Sequence, residues 1–149
     1  MWNTTFDWSG NGNPGAILGG AYDLNIDGFS GSGIELTSTD SVFLNTTGSS
    51  LLSNEDDMFC VAFNASGDDD GTLFRLTDSA EVDLVHMELL ANGRVKVTDN
   101  YGTSPGILTS SGTYDDDLWH SACTFLNSSE DVVYLYVDGV EEDTAIPTK

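Results

Sequence analysis

Residues 118–125 read Leu-Trp-His-Ser-Ala-Cys-Thr-Phe, and residues 133–140 read Val-Tyr-Leu-Tyr-Val-Asp-Gly-Val. The second stretch alternates aliphatic and aromatic side chains as far as Val137, the period of two that a strand with one covered face shows. Asp138-Gly139 then supplies a step that readily takes a positive φ, as a tight hairpin turn requires. The sequence therefore predicts strands at residues 118–127 and 132–137, with a hairpin turn after the second.

The rest of the chain repeats this pattern of short strands and turns. Sixteen glycines, three prolines and frequent Ser, Thr, Asn and Asp clusters separate runs rich in Val, Phe, Tyr, Leu and Thr. This punctuation leaves no long helix, and Asn92-Gly93 marks a further hairpin turn. We predict an all-β fold of two stacked antiparallel sheets. The remaining predicted strands are residues 33–36, 41–44, 58–64, 72–77, 82–90, 94–99 and 106–110.

The charge balance is the most unusual property of the chain, because 25 Asp and Glu residues oppose four Lys and Arg residues and give a net charge of −21. A phosphate backbone requires a basic surface, so this composition excludes ordinary nucleic-acid binding. Self-repulsion of this size weakens a compact fold in dilute buffer, whereas ~1 M salt screens charges beyond about 3 Å. Scarce Lys and abundant Asp, spread along the chain, are therefore typical of a halophilic protein.

The length of 149 residues suits a single domain spanning residues 1–149. Without a run of about 20 apolar residues, membrane insertion is not expected, and the first residues lack the basic start and apolar stretch of a signal peptide. Cys60 and Cys123 both lie in predicted strands. They form a disulfide only if those strands are neighbours with facing Cβ atoms, which the sequence leaves open.

Several of these segments resemble laminin-G-like domains, a family of concanavalin A-like jelly rolls. The Trp-His strand followed by Tyr-Val-Asp-Gly at residues 136–139 resembles a hairpin of that family, and Asp-Trp-Ser-Gly-Asn-Gly-Asn at residues 7–13 resembles its early loop. The resemblance implies a jelly roll of the kind usually found outside cells. It also implies a final strand after the hairpin, where only residues 141–149 remain. We therefore expect that strand to be absent and another copy to complete the edge, which predicts a homo-oligomer or larger assembly.

Two acidic triplets are candidate metal ligands. The resemblance implies calcium at the rim of a sheet, and Ca²⁺ takes six to eight oxygen ligands from carboxylates and carbonyls. Each triplet lies between predicted strands, although neither matches the EF-hand pattern, and a halophilic surface carries such triplets for solvation alone. The candidate ligands are Asp68, Asp69, Asp70, Asp115 and Asp116, with Asp117 completing the second triplet.

Candidate carbohydrate contacts lie in two predicted loops. Sugar sites combine an aromatic platform with Asn or Asp side chains that exchange hydrogen bonds with hydroxyls. Asn100 and Tyr101 fit this description in one loop, and Tyr114 fits it in another. Trp8 and Trp119 lie within structural motifs and are expected in the core, with His120 packed beside Trp119.

The sequence gives weaker support to a catalytic function than to carbohydrate binding. Retaining β-glucanases of the same fold class carry a Glu-x-Asp-x-x-Glu strand, and residues 81–88 begin correctly with Glu81 and Asp83. His86 occupies the third position, however, and Glu88 comes too late and faces the other side of a regular strand. We therefore expect no enzyme, but a recognition or adhesion module that binds host-surface glycan or glycoprotein at the extracellular or virion surface. A structural assembly subunit and a glycoside hydrolase are the alternatives.

Overall fold

The computed structural model describes residues 56–67, 69–78, 82–100 and 103–147 in full, together with the backbone of four N-terminal strands. The chain divides into two compact units, residues 1–51 and residues 52–149. In the first unit, two pairs of antiparallel strands are present, β1 with β4 and β2 with β3. The strands are β1 (Ala16–Leu18), β2 (Asp23–Gly28), β3 (Gly31–Glu35) and β4 (Phe43–Asn45).

The predicted strands at residues 33–36 and 41–44 overlap β3 and β4, whereas β1 and β2 were not expected. The sequence of β2 is Asp-Leu-Asn-Ile-Asp-Gly. Asp, Asn and Gly are depleted in strands, so intrinsic propensity hides this element. The early loop at residues 7–13 and Trp8 lie outside the described residues, as do Asp68, Glu81 and Tyr101.

The second unit contains two four-stranded antiparallel sheets, in the orders β12-β11-β10-β5 and β6-β7-β8-β9. The predicted all-β class with two antiparallel sheets is confirmed. No described residue lies in a helix, and none therefore belongs to a helix fit to cross a membrane. The strands are β5 (Asp57–Asn64), β6 (Gly71–Thr77), β7 (Asp83–Leu89), β8 (Val95–Asp99), β9 (Gly106–Thr109), β10 (Trp119–Asn127), β11 (Val132–Val137) and β12 (Val140–Ala145).

The core between these sheets is formed by the side chains at every second position of the strands. Along β10 and β11 every second residue is buried, as the sequence pattern of β11 predicts. β7 and β8 contribute the same alternation from the other sheet. The apolar residues that form the centre of the core are Met87, Val95, Val97, Leu108, Ala122, Val133, Leu135 and Val137.

Cys60 and Cys123 form a disulfide that joins β5 to β10, with their Cα atoms 4.1 Å apart. The two residues are directly opposite each other in the antiparallel register. The closest cross-strand pairs in antiparallel sheets are those without reciprocal backbone hydrogen bonds, which allows the two sulfurs to meet. The adjacency that the sequence left open is thus present, on the sheet face turned away from the core.

The strand β12 corrects the predicted boundaries, because residues 140–145 were not assigned to a strand. Three successive acidic residues, 141–143, make this stretch a poor strand former by propensity. In the fold two of these carboxylates accept backbone hydrogen bonds from residues that follow or end β9: Thr109 N donates to Asp143 Oδ2 over 2.8 Å, and Ser111 N to Glu142 Oε2 over 2.7 Å. The acidic strand thus satisfies donors at an edge of the opposite sheet.

Candidate functional site

Three aromatic side chains lie on the outer face of the β12-β11-β10-β5 sheet. Tyr134 and Tyr136 alternate along β11 with Val133, Leu135 and Val137, which are buried in the core. Successive side chains of a strand point to opposite faces, so both tyrosines face away from the core. Phe125 of β10 lies opposite Tyr134 in the register and shares this outer side. We call these three residues the aromatic face.

The rings of the aromatic face form a continuous row. The ring centroids of Phe125 and Tyr134 are 6.1 Å apart with planes inclined by 25°, and those of Tyr134 and Tyr136 are 6.2 Å apart and inclined by 24°. All three side chains are half-buried. Neighbouring rings are nearly parallel and stack along the row, so the row forms a continuous aromatic surface on the outer side of the sheet, which suits a ligand with an apolar side.

Apolar groups extend this surface toward β5. Met58 lies opposite Phe125 in the register, and its side chain is 59% exposed. The Cys60–Cys123 disulfide occupies the next row, because Cys123 is opposite both Cys60 and Tyr136. A covalent link between β5 and β10 therefore lies directly beside the aromatic face and restrains the strands that carry it.

Polar groups border the row at the turn between β10 and β11. The hydroxyl of Tyr134 lies 3.4 Å from Oε2 of Glu130, which also accepts a 3.0 Å hydrogen bond from the Asn127 amide. Partial desolvation and the nearby Glu130 carboxylate raise the pKa of Tyr134. The phenol keeps its proton at neutral pH and donates it in a hydrogen bond to the Glu130 carboxylate.

No protein-family model matches this chain, and no curated protein gives a significant match. The functional assignment therefore rests on the geometry of the chain itself. The alternation at residues 133–137 contained the signal for both tyrosines, since it assigned them to one face. Their grouping with Phe125 could not be read from that segment, because it depends on the cross-strand register.

The predicted carbohydrate residues of the loops are not brought together. The backbone N of Tyr114 donates to the Gly93 carbonyl before β8 begins, whereas Asn100 follows the end of β8. At ~3.3 Å per residue the five-residue strand holds these positions roughly 20 Å apart. Asn100 Nδ2 donates to the Asp83 carbonyl over 2.9 Å, and Tyr101 lies outside the described residues.

Tyr114 instead belongs to a hydrogen-bonded network between the sheets. Its hydroxyl donates to Glu142 Oε1 over 2.7 Å, and its ring meets the His120 ring edge-on with centroids 5.0 Å apart. Burial and the adjacent Glu142 carboxylate raise the pKa of Tyr114 far above its ordinary value. These contacts fix the ring in place, so Tyr114 serves the fold.

His120 is held by two carboxylates. Its Nδ1 lies 2.8 Å from Asp138 Oδ2, and its Nε2 lies 2.9 Å from Asp116 Oδ1. The expectation that it packs beside Trp119 was wrong, because adjacent residues of a strand face opposite ways. The buried ring of His120 contacts Phe63 and Tyr114, and Trp119 is only half-buried.

The loops that carry the two acidic triplets lie side by side. The backbone N of Asp117 donates to the Ala65 carbonyl over 2.9 Å, and a β-carbon added at Gly67 would lie 3.9 Å from the Asp115 carbonyl oxygen. Asp69 accepts hydrogen bonds from the backbone and hydroxyl of Ser66, and Asp116 binds His120. Among the described residues no three His, Cys, Asp or Glu side chains converge as a metal site. The described part of the loops therefore does not assemble the expected calcium ligands, and calcium there stays a prediction.

Asp83 and Glu88, two carboxylates considered in the catalytic hypothesis, form ion pairs within their sheet. Asp83 pairs with Arg75 across β6 and β7, and Glu88 pairs with Lys96 across β7 and β8 at 2.7 Å. Such ion pairs between neighbouring strands contribute modestly to the stability of a sheet surface. His86 hydrogen-bonds Thr72 over 2.9 Å, and Glu81 lies outside the described residues.

Proposed function

We propose that this chain is a non-catalytic, laminin-G-like recognition module that binds a neutral glycan, free or on a glycoprotein, through the aromatic face. The row formed by Phe125, Tyr134 and Tyr136 is the observation that carries the proposal. The apolar side of a sugar ring stacks on such rings, while its hydroxyls exchange hydrogen bonds with groups at the rim. The Glu130 carboxylate and the phenol oxygen of Tyr134, which donates its proton to Glu130, supply acceptors there.

A neutral ligand follows from the charge of the chain. The net charge of −21 repels sulfated and other anionic sugars. Of the basic side chains that the structure describes, Arg75 and Lys96 are held in ion pairs, and Arg94 donates to the Ser110 carbonyl. None of these three lies on the strands of the aromatic face, so no described cation is positioned there to bind an acid group.

A surface location in a salt-rich environment agrees with two further observations. Disulfides such as Cys60–Cys123 persist in oxidising compartments outside the cytosol. The excess of acidic residues suits a halophilic organism or virus, in which high salt screens their repulsion. The ion pairs of Asp83 and Glu88 favour a non-catalytic role, because these two carboxylates, the ones of that hypothesis that the structure describes, already stabilise their sheet.

The proposal is tested by binding measurements on immobilised neutral and anionic glycans, with the chain kept at about 3 M KCl to preserve its fold. Tyr136→Ala and Tyr134→Ala should each weaken binding to neutral glycans by about tenfold, since loss of one stacking ring costs about 1 kcal/mol or more. Ile107→Ala is the matched control, because Ile107 is 56% exposed on β9 of the other sheet. It should bind like the original chain.

Three results would contradict the proposal. One is the absence of binding to any neutral glycan. Another is binding that survives both tyrosine substitutions but is lost on changing Tyr114 or Asn100, which would assign the site to the loops. The third is a stable dimer that dissociates on Tyr134→Ala or Tyr136→Ala, which would make the aromatic face an interface between copies and favour an assembly subunit.

A further inference from the structure

Trp119 lies on the same outer side of the sheet as the aromatic face, at the other end of β10. Every second residue of β10 is buried, and Trp119 occupies one of the alternating half-buried positions that face outward. It is four residues before Cys123, which lies opposite Tyr136, and six before Phe125. At ~3.3 Å per residue, Trp119 is about 13 Å from the row of Tyr136 and about 20 Å from that of Phe125.

Asn64 of β5 lies directly opposite Trp119 in the register and is exposed. Directly opposite residues of an antiparallel pair have Cβ atoms about 4.5–5.5 Å apart, so the two side chains are neighbours. Asn64 Nδ2 donates to the Asp117 carbonyl over 2.9 Å. An amide has two N–H groups and one oxygen, so this bond orients the side chain without using all of its hydrogen-bonding groups. Trp119 and Asn64 thus combine an aromatic ring with an amide, as sugar sites do.

The side chains between the aromatic face and this pair are small. Ser121 and Ala62 lie opposite each other in the row that follows the disulfide, and Ala62 is exposed. Asp138 borders the same row at the turn after β11, where its Oδ1 accepts a 2.8 Å hydrogen bond from the Ser121 backbone N and its side chain is 45% exposed. A carboxylate has about four acceptor positions. This stretch therefore leaves room for a ligand that passes over it and provides an acceptor for its hydroxyls.

We infer that the ligand is an extended chain of neutral sugars, bound at one end by the aromatic face and at the other by Trp119 and Asn64. This inference rests on the proposed glycan binding and names the class of glycan. A single sugar ring is about as wide as one aromatic ring and cannot reach both ends, whereas a chain of several sugars can. Once one end is bound, the second contact forms within the same complex and adds affinity without a second loss of translational freedom.

The test is calorimetry at about 3 M KCl with size-fractionated oligosaccharides, from single sugars to hexasaccharides, made from the neutral glycan that the unchanged chain binds. Affinity should rise by about tenfold or more from the single sugar to the hexasaccharide. Trp119→Ala should remove this rise, weakening hexasaccharide binding by about tenfold and leaving single-sugar binding unchanged. Trp119→Phe keeps an aromatic ring and should retain most of the rise. Tyr136→Ala should weaken the binding of single sugars and hexasaccharides alike.

Ala62→Leu is a second probe, because it adds bulk at an exposed strand position between the two ends and should weaken only hexasaccharide binding. It decides the question if circular dichroism shows that Trp119→Ala is not folded. A single sugar that binds as tightly as the hexasaccharide would overturn the inference, as would hexasaccharide binding that neither variant changes. If Tyr136→Ala still weakens binding in those cases, the proposed function stands and only the extended ligand is wrong. If Tyr136→Ala has no effect on any oligosaccharide, both fail.

Discussion

Phe125 and Tyr134 lie directly opposite each other on β10 and β11, with ring centroids 6.1 Å apart and planes inclined by 25°. The two stacked rings form the part of the aromatic face against which we propose that a sugar ring packs. Phe125→Leu keeps apolar volume but removes the flat ring. We expect it to weaken glycan binding by several-fold while changing the unfolding free energy by less than about 1.5 kcal/mol, as for other volume-conserving changes. Loss of stability with unchanged binding would contradict this.

The disulfide beside the aromatic face should contribute substantially to stability. Cys60 and Cys123 are separated by 63 residues; disulfides typically stabilise a fold by about 2–4 kcal/mol, and the chain-entropy model gives a value near the upper end, about 4 kcal/mol, for a loop of that size. Replacing both cysteines by Ala should lower the unfolding free energy by that amount in denaturant titrations at constant high salt. A reductant should destabilise the original chain similarly and leave the double variant unchanged. An equal effect of reductant on both proteins would contradict the assignment.

A side chain at position 93 would have to displace the side chain of Asp115. Gly93 has φ of +75°, and a β-carbon there would lie 2.2 Å from Asp115 Oδ1. Gly139 has φ of +78° with nothing within 4 Å of such an atom. Both Ala substitutions introduce backbone strain of about 1–2 kcal/mol. Gly93→Ala should therefore lower the unfolding free energy more than Gly139→Ala does, and the difference should come from the contact with Asp115 alone. Denaturant titrations measure the difference.

A double variant separates strain from clash. In the Asp115→Ala background the carboxylate is gone, and Gly93→Ala should then cost about as much as Gly139→Ala. The non-additive part of this cycle isolates the Gly93–Asp115 contact. Equal costs of Gly93→Ala with and without the Asp115 side chain would show that only the backbone strain matters.

The strand β11 and the turn that follows it could be predicted because their information is local. Strict alternation at residues 133–137 and the Asp138-Gly139 step determine strand, face and turn together. The strand β12 could not be predicted in this way. Its Glu142 and Asp143 carboxylates stabilise a strand only beside the backbone N–H groups of Ser111 and Thr109, which lie some 30 residues away in the chain.

The candidate site could likewise be predicted only in part from local sequence. The alternation assigned Tyr134 and Tyr136 to one face, but the contact with Phe125 needed the register. The loop hypothesis named Asn100 and Tyr114 in two separate loops as candidate contacts, and the length of β8 keeps these residues apart, so they do not form one site together. Residue types alone suggested aromatic and polar groups for a sugar site, whereas the position of the proposed site depends on contacts between strands distant in sequence.

The acidic surface should make stability depend on salt. With a net charge of −21, repulsion is long-ranged at 0.1 M salt, where the screening length is about 10 Å, and short-ranged near 1 M, where it is about 3 Å. The thermal midpoint should therefore rise steeply between about 0.1 and 1 M KCl and in the same way with choline chloride, since screening does not depend on the cation. A midpoint that is constant over this range would contradict the halophilic interpretation.

His120 should determine how stability changes above neutral pH. Burial lowers its pKa, but hydrogen bonds with Asp138 and Asp116 outweigh this effect, and the pKa is raised above its ordinary value. A raised histidine pKa means that the folded chain holds the proton more tightly than the unfolded chain. This contribution is complete below about pH 6.5, the unfolded value, and is lost as pH rises through the folded pKa.

Glu142 should determine how stability changes at acidic pH. Hydrogen bonds from Ser111 and Tyr114 outweigh partial burial and lower the pKa of Glu142 to about 2. A lowered carboxyl pKa gives stability that is present above the unfolded value of about 4.5 and lost as pH falls toward 2. Together the two groups should place maximum stability between about pH 5 and 6.5.

Denaturant titrations across pH, at constant high salt, measure both sides of this profile. His120→Gln keeps hydrogen-bonding capacity but cannot titrate, so it should flatten the decline above pH 6.5 while the loss of stability that Glu142 causes toward pH 2 remains. Glu142→Gln should do the reverse. His86→Gln is the control, because His86 bonds Thr72 in the other sheet. If His86→Gln flattened the alkaline decline and His120→Gln did not, the two carboxylates around His120 would not be the source of the pH dependence.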